Sequence, residues 1–155
     1  MGYAKLLESE LGCSQVINNI EKKFDRFCER KSFEITTENR IMRTIKIFLH
    51  KELKTEVNLK GGKVPQRDCL SLSTVALILA ARKGFDGVLA RPNQLKRYLH
   101  AFVVLDSGSQ YIISGKHTEF DPVFLSINQV INRLKLTRRV LDTLIYPLIK
   151  LGINY

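Results

Sequence analysis

Cys69 and His100 are the residues whose types and placement best suit covalent chemistry in this chain. A thiol attacks a carbonyl carbon as its thiolate, and two surroundings favour that form: a helix N-terminus and a nearby imidazole. Residues 58–67 (NLKGGKVPQR) carry Gly61, Gly62 and Pro65, the composition of a loop, and lead directly to Cys69. An apolar run, Leu70–Lys83, follows, so Cys69 heads a helix. The unpaired backbone N–H groups of that first turn can stabilise an oxyanion. Asp68 suits the cap position, although its negative charge opposes ionisation of the thiol.

The chain has three histidines. His50 falls among lysines within a helical pattern and reads as a surface or boundary residue. His100 opens the apolar run AFVVL, where a strand edge can project the ring toward a helix N-terminus. His117 follows the next apolar run. If Asp106 pairs with Tyr111, the simple antiparallel register sets His100 opposite His117, with Asp121 a few residues on. Cys13 and Cys28 read as inert core residues. One cysteine with two histidines lacks a fourth ligand, so neither a metal nor another cofactor is expected.

The elements that must position Cys69 and His100 follow from periodicity. In Ser14–Glu29, Val16, Ile17, Ile20, Phe24, Phe27 and Cys28 recur at helical steps, with Ser14 as N-cap. Glu38–Leu53 repeats the pattern through Ile41, Met42, Ile45, Phe48 and Leu49. Leu72, Val75, Ala76, Leu79 and Ala80 make Leu70–Lys83 a largely buried central helix, with Leu77 and Ile78 widening its apolar face. Gly84 supplies its C-terminal stop.

Strand signals then appear. Val88–Arg91 stops at Pro92, and Ala101–Leu105 with Tyr111–Ser114 flank a turn-rich segment, as in a hairpin. Ser126 and Gln129 fit a capping box opening a helix whose Val130, Ile131 and Leu134 face inward. A last helical stretch, Thr137–Lys150, contains Pro147, which should kink or shorten it. The order predicts an α+β fold in which a small antiparallel sheet packs on a central helix with additional N- and C-terminal helices.

The 155 residues suit one domain, with core motifs in 62–123 and helical flanks at 1–57 and 124–155. Hydrophobic residues at 45% and charged residues at 26% fit a globular protein rather than a disordered one. Three cysteines without metal-ligand spacing suggest reduced thiols and a cytoplasmic setting. No stretch has the length of a membrane span, and the N-terminal MGYAKLLESELG has no secretory h-region. The net charge of +10 attracts polyanions, nucleic acid among them, while also suiting solvated helix faces.

Taken in order, these motifs resemble the transglutaminase-like superfamily, circularly permuted relatives of papain-like cysteine proteases. The resemblance rests on Asp68-Cys69 and the following alanine-containing helix to Gly84, the short strand Val88–Arg91, His100-Ala101-Phe102-Val103-Val104, and Phe120-Asp121-Pro122. It implies acyl transfer on an amide or peptide bond of a protein or peptide substrate. Cys69 would be the nucleophile, His100 the proton carrier, and Asp121 the residue orienting the imidazole. The Cys69 N–H and Gln66 would form the oxyanion site. In the family the aspartate lies across from the histidine on the next strand. Here the simple register puts His117 there, so Asp121, His117 and the more distant Asp106 all stand as candidates for the third position. Two other functions fit the same residues: a transglutaminase-like module without catalysis, and a basic nucleic-acid-binding or adaptor domain. The Lys96-Arg97-Tyr98 group would serve the latter.

Overall fold

The computed structural model describes residues 2–32, 37–52, 56–58, 63–65, 69–93 and 100–140. Helix α1 (Tyr3–Leu11) opens the chain, followed by α2 (Ser14–Lys31) and α3 (Glu38–Glu52). Strands β1 (Glu56–Asn58) and β2 (Lys63–Pro65) pair with each other and lead to α4 (Cys69–Arg82). Then come β3 (Gly87–Pro92), β4 (Phe102–Leu105), β5 (Gln110–Tyr111), β6 (Pro122–Phe124) and α5 (Ile127–Val140). The fold is α+β, as expected.

Helix α4 is the centre of the molecule. Every residue from Leu70 to Ala80 is buried, its hydroxyl-bearing side chains included. A helix apolar on all sides must be covered on all sides, and α4 touches α1, α2, α3, α5, β3 and β4. Ser73 and Thr74 tolerate this burial because their hydroxyls donate to the Ala101 and Leu70 carbonyls, at 3.2 and 2.7 Å. The chain reverses at Gly84, whose φ of 97° lets the Gly84 and Phe85 N–H groups bond the Ala81 and Ala80 carbonyls. That reversal sends β3 back along α4, so Arg91 and Pro92 finish beside the end that begins with Cys69.

The main sheet has the order β5-β4-β3-β6 and is antiparallel throughout. Its residues alternate between two cores. Leu89, Ala101, Val103 and Leu105 join α4 in the main core, while Ala90, Phe102, Val104 and Ile112 form a smaller cluster on the other face.

The hairpin register differs from the expected one. Val104 pairs with Gln110 and Val103 with Tyr111. The turn is tighter because Gly108 adopts φ 90° and its N–H bonds the Leu105 carbonyl at 2.8 Å, giving a three-residue loop, Asp106–Gly108. The same register carried on would set Ser114, not His117, across from His100. Other differences are local. Ser14 lies inside α2 rather than capping it, and its hydroxyl donates to Glu8 at 2.7 Å. Segment 58–67, read as loop, includes β2, and Pro122 starts an edge strand. Helix α5 runs unbroken from Ile127 to Val140, and the expected kink at Pro147 lies outside the described residues. No helix among the described residues is long and apolar enough to cross a membrane.

Candidate active site

Cys69 is the first residue of α4 and the one cysteine of three that reaches the surface, half-buried against the main core. Its helix is tied to the head of β4 by the bond from Ser73 Oγ to the Ala101 carbonyl, 3.2 Å. Ser73 stands one turn after Cys69 on the same helix face, and Ala101 directly follows His100. The first turns of α4 and the start of β4 therefore meet at one end of the domain.

An aromatic shelf holds His100. Its ring lies 5.6 Å, centroid to centroid, from Phe120 in an edge contact and 6.3 Å from Phe102. Phe102 and Phe120 stack at 5.3 Å. Phe120 comes from the segment that crosses from β5 to β6, and Gln110 fixes it there. The Gln110 Nε2 donates to the Phe120 carbonyl at 2.7 Å, and its Oε1 accepts from the Phe120 N–H at 2.9 Å. This two-point grip explains why a polar side chain is buried in β5. Earlier in the same segment, His50 Nε2 donates to the Ile113 carbonyl at 2.7 Å and Lys46 Nζ to the Gly115 carbonyl at 2.5 Å.

Asp121 sits at the same end of the sheet but across β3 from His100. Its carboxylate accepts from Asn93 Nδ2 at 3.1 Å, and its carbonyl accepts from the Asn93 N–H at 2.9 Å. The registers place His100 near Pro92 on one side of β3 and Asp121 near Asn93 on the other, two strand spacings or about 10 Å apart. Asp121 thus pins the β3–β6 end, directly after the Phe120 that packs on the imidazole. His117 is exposed, with Nε2 3.5 Å from Glu119. Asp106 stands in the hairpin turn, where its N–H bonds the Asp86 carbonyl, remote from His100. Gln66 and Asp68 lie outside the described residues.

Comparisons with protein-family models, curated proteins and solved structures return no match. What this end of the molecule can do follows from its own geometry.

Two arginines complete that geometry. Arg91 shares a β3 face with the core residue Leu89, so its stem points toward the α4 layer. Arg133 borders the buried Val130–Leu134 stripe of α5. Partial burial holds the Arg133 guanidinium below its ordinary value. The positive charge of Arg91 acts in the same direction, while Cys69 acts against it. Arg133 therefore lies within electrostatic reach of both Arg91 and Cys69. Alternation along Val88–Arg91 could have assigned Arg91 its face from sequence alone. Arg133 was hidden within the basic series Arg133, Lys135, Arg138 and Arg139.

Proposed function

We propose that the protein is a cysteine-dependent hydrolase or acyltransferase of transglutaminase-like design, with Cys69 as nucleophile and His100 as proton carrier. The observation that carries this reading is the Ser73–Ala101 bond, which binds the turn following Cys69 to the residue following His100. The charge of Arg133 within reach of Cys69, and the place of Cys69 at the head of a buried helix, support it.

The chemistry would run as follows. The thiol proton passes to the imidazole, and the thiolate sulfur forms a bond to the carbonyl carbon of an amide or ester. The resulting oxyanion would be met by backbone N–H groups at the head of α4. Collapse breaks the bond to the leaving group, which takes the proton from the imidazolium, and leaves a thioester. Water then gives hydrolysis, and an amine gives acyl transfer. Asp121 acts as a positioning residue, anchoring through Asn93 the chain that presses Phe120 onto the imidazole.

Alkylation with iodoacetamide near neutral pH, read by mass spectrometry of each cysteine, tests the reading. Cys69 should react far faster than Cys13 and Cys28, and His100→Ala should slow Cys69 alone. Comparable slow reaction of all three thiols would leave a transglutaminase-like module without an activated nucleophile.

A further inference from the structure

Helix α2 separates its charges. Ile17, Ile20, Phe24 and Phe27 are buried, and the opposite side carries Gln15, Asn19, Lys22, Lys23, Arg26 and Arg30, all exposed. Two carboxylates of the helix are turned to α4. Glu21 accepts from Arg82 at 3.0 Å and stands 3.4 Å from Lys83, and Asp25 accepts from Lys83 at 2.8 Å. Glu29 is exposed at the margin of the basic side. Among the described residues no carboxylate pairs with Lys22, Lys23 or Arg26. Arg30 bonds Glu52 at 3.1 Å, but both side chains are exposed, at 62% and 37%, so this pair is weak and exchangeable. Lys22, Arg26 and Arg30 stand at four-residue steps on one face, about 6 Å apart along the axis. Such a row suits successive backbone phosphates, and the amides of Gln15 and Asn19 continue it as further donors.

What this side lacks tells anionic partners apart. The apolar residues of α2 face the core, with Val16 half-buried at their margin, so the exposed side shows no apolar or aromatic side chain. A helix lying in a membrane surface needs an apolar face to insert. A protein interface needs apolar or aromatic anchors, and a single nucleic-acid strand needs aromatic platforms for its bases. A duplex presents phosphates at regular intervals and needs none of these. We infer that the outer side of α2 is a docking surface for the phosphate backbone of duplex nucleic acid, without base readout. Lys22, Lys23 and Arg26 contact phosphates, and Arg30 joins them by leaving Glu52. The surface is independent of the proposed hydrolase site: the α2 carboxylates meet α4 at Arg82 and Lys83, the end opposite Cys69.

Fluorescence anisotropy of short labelled DNA and RNA duplexes, titrated with the full chain across a salt series, tests the surface. At least one duplex should bind, with log affinity falling against log salt at a slope of about 3 or more, since each phosphate contacted contributes about 0.9. Lys22→Glu with Arg26→Glu should weaken binding about tenfold or more and reduce the slope by about 2. Lys5→Glu with Lys116→Glu removes the same charge from exposed positions elsewhere and should change affinity about twofold at most. Lys22→Gln with Arg26→Gln keeps good helix formers and should weaken binding in the same direction, so the result does not hang on the Glu variant folding. A single strand with as many phosphates should bind less tightly than the duplex. Cys69→Ala should leave binding unchanged, which keeps this outcome separate from that of the nucleophile. Failure of both duplexes to bind, equal losses in the α2 and control pairs, or tighter binding of the single strand would overturn the surface. So would binding to phosphatidylserine vesicles that depends on Lys22 and Arg26 when neither duplex binds.

Discussion

Burial raises the proton affinity of Cys13, pushing it up to about 11, and raises that of Cys28 as well. Neither thiol supplies much thiolate near neutral pH, which makes both internal references for Cys69. A second residue-level feature lies at the far end of α4. The Arg82 guanidinium donates to the Glu8 carboxylate from Nε and Nη2, at 3.1 and 3.0 Å, and Nη1 donates to Glu21 at 3.0 Å. Burial alone would raise the Glu8 pKa, but the bonds from Arg82 and Ser14 outweigh it and hold the carboxyl below its usual value. The folded chain therefore binds this proton less tightly than the unfolded chain. Its stabilising contribution is complete above the unfolded pKa and is lost as pH falls through the folded one. Arg82→Ala should cost about 1–3 kcal/mol at neutral pH. The gap from the unsubstituted protein should narrow in strong acid. Urea denaturation at the two pH values checks both statements.

At the scale of elements, the crossing segment between β5 and β6 matters most because it shapes the wall behind His100. Gln110→Ala removes both bonds to Phe120 and leaves the partner N–H and C=O of this half-buried residue without them. The expected cost is about 1–3 kcal/mol. Alkylation of Cys69 should slow as the shelf loosens, while Cys13 and Cys28 stay unreactive in the folded state. Denaturation midpoints and site-resolved labelling rates together distinguish this from a purely structural effect. The elements also differ in how far the sequence revealed them. The largely apolar stretch of α4, the stop at Gly84 and the Ser126–Gln129 capping box are local signals. The structure realises them, the box through bonds of 2.8 and 3.1 Å. Helix α1 was anticipated only as part of a helical flank, without bounds of its own. It is short, and its Ala4, Leu7 and Leu11 gain stability by packing on other elements rather than from propensity. The hairpin register was missed because it depends on a three-residue turn with Gly108 in the left-handed region. A different turn choice slides every cross-strand pair, and so moved His117 away from His100.

At the scale of the whole molecule, the candidate site is a product of strand order. Cys69 and His100 stood out as candidates in the sequence because one heads an apolar helix and the other an apolar strand, and these two elements pack directly. Asp121 was not placeable from sequence, since nothing local says that β3 stands between β4 and β6. Arg91 and Arg133 were dispersed in a chain of net charge +10, where a basic residue carries little information by itself. Only the fold brings Arg133 within electrostatic reach of Arg91 and Cys69. The central claim is that its place in the fold makes Cys69 an activated nucleophile. The most direct test is the pH dependence of Cys69 alkylation in the folded protein, with and without His100→Ala. Half-maximal reactivity should fall below about 8.5, the value of an ordinary thiol, and the profile should change once the imidazole is gone. A midpoint at or above the ordinary value, unchanged by His100→Ala, would contradict it.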